Sequence, residues 1–125
     1  MNKAKAKGYR TVASGRKILE AKGYIFANLE KTGRYTETDL FGLWDNLAIK
    51  GKEHLFIQFK TGRKMLLNNG KITKWATPYI DFGIEHDSSI VKYQIWNKIK
   101  GIRFEVLHCN EKRKVYILEH PFKLI

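Results

Sequence analysis

The chain has 125 residues, of which 43% are hydrophobic and 13% aromatic, enough for one domain with a buried core over residues 1–125. Its 24 Lys and Arg residues against 12 Asp and Glu give a formal net charge of +12, which attracts polyanions. Nucleic acid is the commonest such partner, although lysine-rich surfaces also occur in thermophile proteins and beside anionic membranes. The single cysteine, Cys109, excludes an intramolecular disulfide and a cysteine-based structural zinc site.

The sequence contains no apolar segment of the length that a membrane helix needs. The N-terminus, Met1 to Lys7, is polar and lysine-rich, unlike a signal peptide. We therefore expect a soluble intracellular protein, cytoplasmic or associated with the nucleoid, with no membrane partner. The four histidines have no common zinc-binding spacing, so zinc is not expected.

The first half of the chain predicts a helix followed by three strands. Apolar residues at three- and four-residue spacing predict an amphipathic helix over Tyr9 to Lys22. A strand follows from Tyr24 to Leu29, and a polar loop from Glu30 to Asp39. The apolar runs Leu43–Ile49 and Leu55–Phe59, joined by a short connection containing glycine, predict an antiparallel hairpin.

The second half predicts a short helical segment and further strands. Ile72 to Phe82 fits either a short helix interrupted by Pro78 or a second segment that begins at Thr77 and Pro78. Apolar and β-branched residues between turn-forming residues then predict strands. These strands are Ile90–Ile99, Ile102–His108 and Val115–Leu118.

One acid and a Gln-x-Lys sequence lie on the two strands of the predicted hairpin. Because side chains alternate along a strand, Gln58 and Lys60 project from one face and the apolar residues between them from the other. The hairpin register brings Asp45 towards both. A carboxylate and an amide oxygen are hard ligands that Mg²⁺ accepts, and a bound metal polarises a phosphate for hydrolysis while the lysine orients or deprotonates water. The structural alternative is an ion pair between Asp45 and Lys60.

Two motifs, Asp39-Leu40-Phe41-Gly42-x-x-Asp45 and Ile57-Gln58-Phe59-Lys60-Thr61, resemble those of the PD-(D/E)XK nucleases. Archaeal and phage members similar to Holliday-junction resolvases are the nearest in pattern, and the resemblance covers Gly8 to Gly62. It implies an α/β fold with a restriction-endonuclease-like core, a mixed central β-sheet flanked by helices. It also implies Mg²⁺, with Mn²⁺ as a substitute, bound at Asp45, Gln58 and the backbone carbonyl of Phe59, with Lys60 as the catalytic lysine.

The chain departs from the pattern of this family at two positions. Gln58 stands where the family usually has an acid, which removes one negative charge and weakens metal binding. Resolvase-like relatives carry a metal-associated glutamate near the position of Val12, whereas this helix has only Glu20, turned about 80° away and about 12 Å along the axis. The loop acids that remain as alternatives are Glu30, Glu37 and Asp39.

Basic residues in two segments are expected to contact phosphate, with solvated surface as the alternative. In and before the first predicted helix they are Lys7, Arg10, Arg16 and Lys17. Arg63 and Lys64 directly follow the candidate site, and Thr61-Gly62-Arg63-Lys64 has a composition suited to holding a phosphate. The three tryptophans are expected mainly in the core, with stacking on bases as the alternative.

The sequence therefore predicts a Mg²⁺-dependent endodeoxyribonuclease, a hydrolase of phosphodiester bonds with DNA as its partner. The resemblance names branched DNA such as a Holliday junction as a candidate substrate. Two symmetric nicks need two sites, so a homodimer is implied. The alternatives are a catalytically inactive nucleic-acid-binding module on the nuclease fold, and an unrelated RNA-binding or ribosome-associated basic protein. A viral or plasmid source fits the resemblance.

Overall fold

A computed structural model describes residues 3–28, 43–65, 67, 71–100, 103–110, 115–119 and 123–124, and the structural statements below concern these residues. The predicted loop Glu30–Asp39 lies outside them. In chain order the elements are α1 (Lys3–Ala21), β1 (Ile25–Asn28), β2 (Asn46–Lys50), β3 (Glu53–Thr61), a 3-10 turn (Lys74–Ala76), α2 (Thr77–Glu85), β4 (Val91–Lys100), β5 (Arg103–His108), β6 (Val115–Glu119) and β7 (Lys123–Leu124).

The described strands form one mixed sheet in which their order follows the order of the chain. Neighbouring strands are antiparallel, with the exception of β3 and β4, which are parallel. Parallel neighbours need a crossover connection, and the segment between β3 and β4 contains the 3-10 turn and α2. The fold is therefore α/β, with a mixed sheet flanked by helices. None of the described helices is long and apolar enough to span a membrane.

The two helices bury apolar residues on opposite faces of the sheet. Ile18 and Leu19 of α1 pack on a cluster from the sheet that comprises Ala48, Leu55, Ile57, Phe59, Trp96, Phe104 and Val106. Ile80 of α2 packs with Trp44, Met65, Ala76, Ile95, Leu107 and Cys109. Cys109 is fully buried, as predicted, and burial raises the pKa of its thiol well above the ordinary value. Its thiol is therefore a packing group.

The predicted hairpin is confirmed, with its first strand shorter than expected. β2 and β3 pair antiparallel through the Gly51-Lys52 turn, and Gly51 adopts a positive φ of 61°. β2 begins at Asn46 because Trp44 leaves the strand to enter the core on the α2 face. The predicted alternation also holds, since Ile57 is buried on the α1 face and Gln58 pairs with Ile95 on the α2 face.

The helices differ from prediction in where they begin. α1 starts at Lys3, six residues before the predicted Tyr9, because the Lys-Ala segment has high helix propensity without an amphipathic pattern. α2 begins at Thr77 with Pro78 in its first turn, which decides between the two alternatives. Proline is tolerated in the first turn of a helix because a backbone N–H at that position would have no partner within the helix. The strand Lys123–Leu124 was not predicted, because two residues are too few to show a period.

A hydrogen bond from Tyr24 joins the end of α1 to the hairpin. The Tyr24 hydroxyl donates to Glu53 Oε1 at 3.0 Å, and burial together with this bond raises the tyrosine pKa from 10.0 to about 12. Neutral Tyr24 therefore stabilises the fold below pH 10, and this contribution is lost as the pH rises towards 12. The free energy of unfolding, measured with denaturant, should fall less steeply with rising pH in Tyr24→Phe than in the wild type over this range. Parallel pH profiles would contradict the prediction.

Candidate active site

The start of β2 and the end of β3 lie at the same edge of the sheet. Asn46 pairs with Ile57 as the last pair of the hairpin, and Asp45 and Gln58 are the next residues along their segments beyond this pair. Lys60 follows Gln58 by two residues in β3 and therefore lies on the same face. Two of the three residues that the sequence singled out therefore lie in β3, and the third directly precedes β2.

Gln58 is the most unusual of the three in its burial. It is only 6% exposed, and its Oε1 atom has no hydrogen-bond partner in the described part of the chain. Leaving a buried amide oxygen without a partner costs about 1–3 kcal/mol. The Oδ1 atom of Asp45 is also shielded from solvent. A buried amide oxygen beside a carboxylate is a pair of donors suited to a hard cation.

The ring of Trp75 lies close to two cationic side chains. Its ring lies 5.9 Å from Lys60 Nζ and 4.5 Å from the guanidinium carbon of Arg63. The indole Nε1 donates to the backbone oxygen of Lys64 at 2.8 Å. Trp75 is partly buried, whereas Trp44 and Trp96 lie in the two cores as predicted. Sequence reasoning did not connect Trp75 with Lys60 because tertiary contacts alone bring them together.

The residues that follow β3 form a turn with two exposed cations. Gly62 has a positive φ of 64°, which glycine adopts without steric cost, and its N–H donates to the oxygen of Lys98 at 2.9 Å. Arg63 and Lys64 come next and are exposed to solvent. The segment predicted to hold phosphate therefore lies directly beyond Lys60, with its cations accessible.

Sequence reasoning missed Asn97 and Glu105, which continue the polar row across the sheet. Lys60 pairs with Asn97 of β4, and Asn97 pairs with Glu105 of β5, so the three share the α2 face. The Asn97 amide donates to Glu105 Oε1 at 3.1 Å. The sequence does show that Asn97 is a polar residue on the same strand face as Tyr93 and Ile95. The parallel pairing that brings Asn97 beside Lys60 cannot be deduced from local pattern.

Helix α1 lies on the opposite face of the sheet, and it contributes no acid to the face that carries Gln58. Val12 packs against the core beneath the helix. Glu20 is exposed and forms an ion pair with Arg16 at 3.3 Å. The loop alternatives Glu30, Glu37 and Asp39 lie outside the described residues.

The basic residues predicted on α1 divide into two groups. Thr11 Oγ1 is hydrogen-bonded to Thr61 Oγ1, so the N-terminal part of α1 lies over the end of β3. Arg10 is exposed at this edge, and Lys7 precedes it by one helical turn, with its side chain outside the described part. Arg16 and Lys17 lie one to two turns further along the helix, and both are exposed. The guanidinium of Arg16 also lies over the ring of Phe26.

The described residues contain no group of three or more His, Cys, Asp or Glu that could hold a metal. The donors available at the site are the Asp45 carboxylate, the Gln58 amide oxygen and the predicted carbonyl of Phe59. The comparisons add no relative, since no protein-family model matches the sequence and no curated protein matches it significantly.

Proposed function

We propose that this protein is a divalent-metal-dependent endodeoxyribonuclease with a restriction-endonuclease-like core of the PD-(D/E)XK type. The observation that carries the proposal is the buried Gln58 Oε1, which has no hydrogen-bond partner among the described residues. Gln58 directly follows Ile57 of the Asn46–Ile57 pair, and Asp45 directly precedes Asn46. Lys60 on the same face and a net charge of +12 support a phosphate-containing substrate.

The donor set fits a hard cation such as Mg²⁺, with Mn²⁺ as a substitute. Most buried side-chain amide oxygens in proteins are hydrogen-bonded, whereas Gln58 Oε1 is buried without a hydrogen bond in the described part of the molecule. Asp45, Gln58 and the Phe59 carbonyl would hold the ion. When bound, it would neutralise charge developing on the phosphate and lower the pKa of a nearby water.

The side chains around these metal donors have two further roles, in activating water and in binding phosphate. Lys60, within cation–π distance of Trp75, orients or deprotonates the water that attacks phosphorus. Arg63 and Lys64 bind the phosphates that flank the scissile bond, since both are exposed directly beyond β3. Arg10, exposed at the same edge from the other face, extends this contact along the DNA backbone, and Lys7 precedes it by one helical turn as a further candidate.

Branched DNA, with a Holliday junction as the test case, is the substrate that the resemblance suggests. The cleavage of such a junction needs two nicks related by symmetry, whereas the described chain carries one candidate site. We therefore propose a homodimer in which each subunit cuts one strand.

Metal dependence is the first expected result. Labelled Holliday junction, linear duplex, single-stranded DNA and RNA are incubated with the protein in Mg²⁺, in Mn²⁺ or in EDTA, and products are separated by gel. We expect cleavage of DNA in either metal, none in EDTA, and recovery when Mg²⁺ is added back. Equal cleavage in EDTA would contradict the role given to Asp45 and Gln58, and a preference for the junction would support resolvase activity.

A second candidate function is a nucleic-acid-binding module without catalysis. It is favoured by Gln58 in place of an acid, and by the lack of a group of three metal-binding side chains among the described residues. The same experiment separates the two functions. Tight binding of DNA without cleavage in any metal would favour the module.

A further inference from the structure

Asn97 lies at the end of β4 beside the turn that carries Arg63 and Lys64. It is 1% exposed, and it pairs in the sheet with Lys60 on one side and Glu105 on the other. A buried amide at this place needs partners for its oxygen and its nitrogen. All of the partners that the structure gives Asn97 are polar groups of the turn or of Glu105.

Asn97 holds both backbone polar groups of Arg63. The N–H of Arg63 donates to Asn97 Oδ1 at 3.1 Å, and Asn97 Nδ2 donates to the Arg63 carbonyl oxygen. The same Nδ2 donates to Glu105 Oε1 at 3.1 Å. The opposite amide orientation would turn Oδ1 towards two acceptors, the Arg63 oxygen and the Glu105 carboxylate. Glu105 therefore reinforces the amide orientation that the N–H and the carbonyl of Arg63 also require.

The turn is fixed on both sides of this contact. Gly62 N–H donates to the oxygen of Lys98, and Trp75 Nε1 donates to the oxygen of Lys64. The guanidinium of Arg63 lies over the Trp75 ring at 4.5 Å. Four backbone groups in three consecutive residues are thus tied to β4 or Trp75, while the side chains of Arg63 and Lys64 stay exposed. A backbone that is already fixed, with exposed cations, reduces the entropy lost when an anion binds.

We propose that Gly62–Lys64 is a preorganised binding site for a backbone phosphate of DNA, and that Asn97 is its positioning residue, oriented by Glu105. The inference rests on the proposed function for the identity of the ligand. It extends that function by assigning roles to two residues that do not belong to the donor set. Asn97 acts through the backbone of Arg63, and its hydrogen-bond partners in the described part of the chain are Arg63 and Glu105.

The test measures binding in EDTA, where cleavage cannot occur. Fluorescence anisotropy with a labelled DNA duplex is recorded over a range of salt concentrations for the wild type, Asn97→Ala, Arg63→Gln and the double variant. We expect each single variant to weaken binding about tenfold and to lower the salt slope by about one phosphate contact. The double variant should be little weaker than Arg63→Gln, because both changes remove the same contact. Asn110→Ala, which loses an exposed hydrogen bond to Asp87, is the matched control.

A charge-matched pair of variants covers the case in which Asn97→Ala does not fold. Glu105→Ala and Glu105→Gln both remove one negative charge, but only glutamine keeps an oxygen that accepts from Asn97. We expect Glu105→Gln to bind more tightly than Glu105→Ala. Equal affinity of these two variants would overturn the proposal, as would a folded Asn97→Ala with the wild-type affinity and salt slope.

Failure of the nuclease activity and failure of this inference are distinguishable. A protein that binds DNA in EDTA with the expected loss in Asn97→Ala, yet cuts nothing in Mg²⁺, overturns the proposed function and leaves the phosphate site standing. If the wild type cleaves DNA in a metal-dependent way and Asn97→Ala binds DNA as tightly as the wild type, the phosphate site is overturned and the proposed function stands.

Discussion

Asp45→Asn is expected to reduce metal-dependent DNA cleavage by at least about a hundredfold. Loss of a group that only hydrogen-bonds to a metal ligand already costs up to about a hundredfold, and a ligand itself should cost no less. The substitution keeps the shape of the side chain but removes the one carboxylate in the proposed donor set. Binding of DNA in EDTA should be unchanged or tighter, since a negative charge near the phosphate is lost. Cleavage of the labelled substrate and anisotropy in EDTA measure the two effects separately.

Asp81→Asn supplies the matched control, because Asp81 is an exposed carboxylate on α2 outside the candidate site. It should cut DNA at the rate of the wild type. If Asp45→Asn also kept that rate while remaining folded, Asp45 would not be a ligand. If Asp45→Asn lost cleavage and DNA binding together with its stability, the carboxylate would instead have a structural role, such as pairing with Lys60.

Gly83→Ala is expected to destabilise the fold, although alanine is normally the better helix former. A Cβ at this position would lie 2.7 Å from the backbone carbon and the Cβ of Cys109, and 2.8 Å from its oxygen. Two of these atoms are main chain, so α2 and the end of β5 must separate. Overpacking of this kind costs about 1–3 kcal/mol, and three contacts under 3 Å place this site in the upper part of that range, above the roughly 1 kcal/mol that alanine gains over glycine in a helix.

Denaturant unfolding of Gly83→Ala measures this loss, and Glu85→Ala on the exposed side of the same helix is the control. Glu85→Ala should change stability by less than about 0.5 kcal/mol. Gly15→Ala offers a comparison on the other face, where the added Cβ would lie 2.2 Å from the ring edge of Phe59. A Gly83→Ala variant as stable as the wild type would mean that α2 can move away from Cys109 at no cost.

The hairpin and its two faces could be predicted because both depend on local pattern. The alternation from Leu55 to Lys60 has the period of a strand, and Gly51 marks the turn, so the pairing of β2 with β3 follows from the sequence alone. The early start of α1 could not be predicted in the same way, because alternating Lys and Ala show no apolar stripe. Helix propensity was the only signal in that segment.

The part of the site beyond the hairpin depends on a pairing that no local pattern specifies. Residues 62–90 separate β3 from β4, and nothing in them indicates that the two strands run parallel side by side. Asn97 and Glu105 were missed for this reason. Trp75 was expected to be a core residue, and only the path of the same connection brings its ring to Lys60 and Arg63.

That connection also has a consequence for how the chain folds. Every other pair of neighbouring described strands is antiparallel and is joined by a shorter segment, the longest being residues 29–45 between β1 and β2. Pairing β3 with β4 requires closure of the long segment 62–90, which makes it the entropically costliest contact of the described sheet. Lys60 lies on one side of that closure and Asn97 on the other. A nascent chain that has completed only its first three strands therefore holds Asp45 and Gln58 but lacks the groups that fix Arg63.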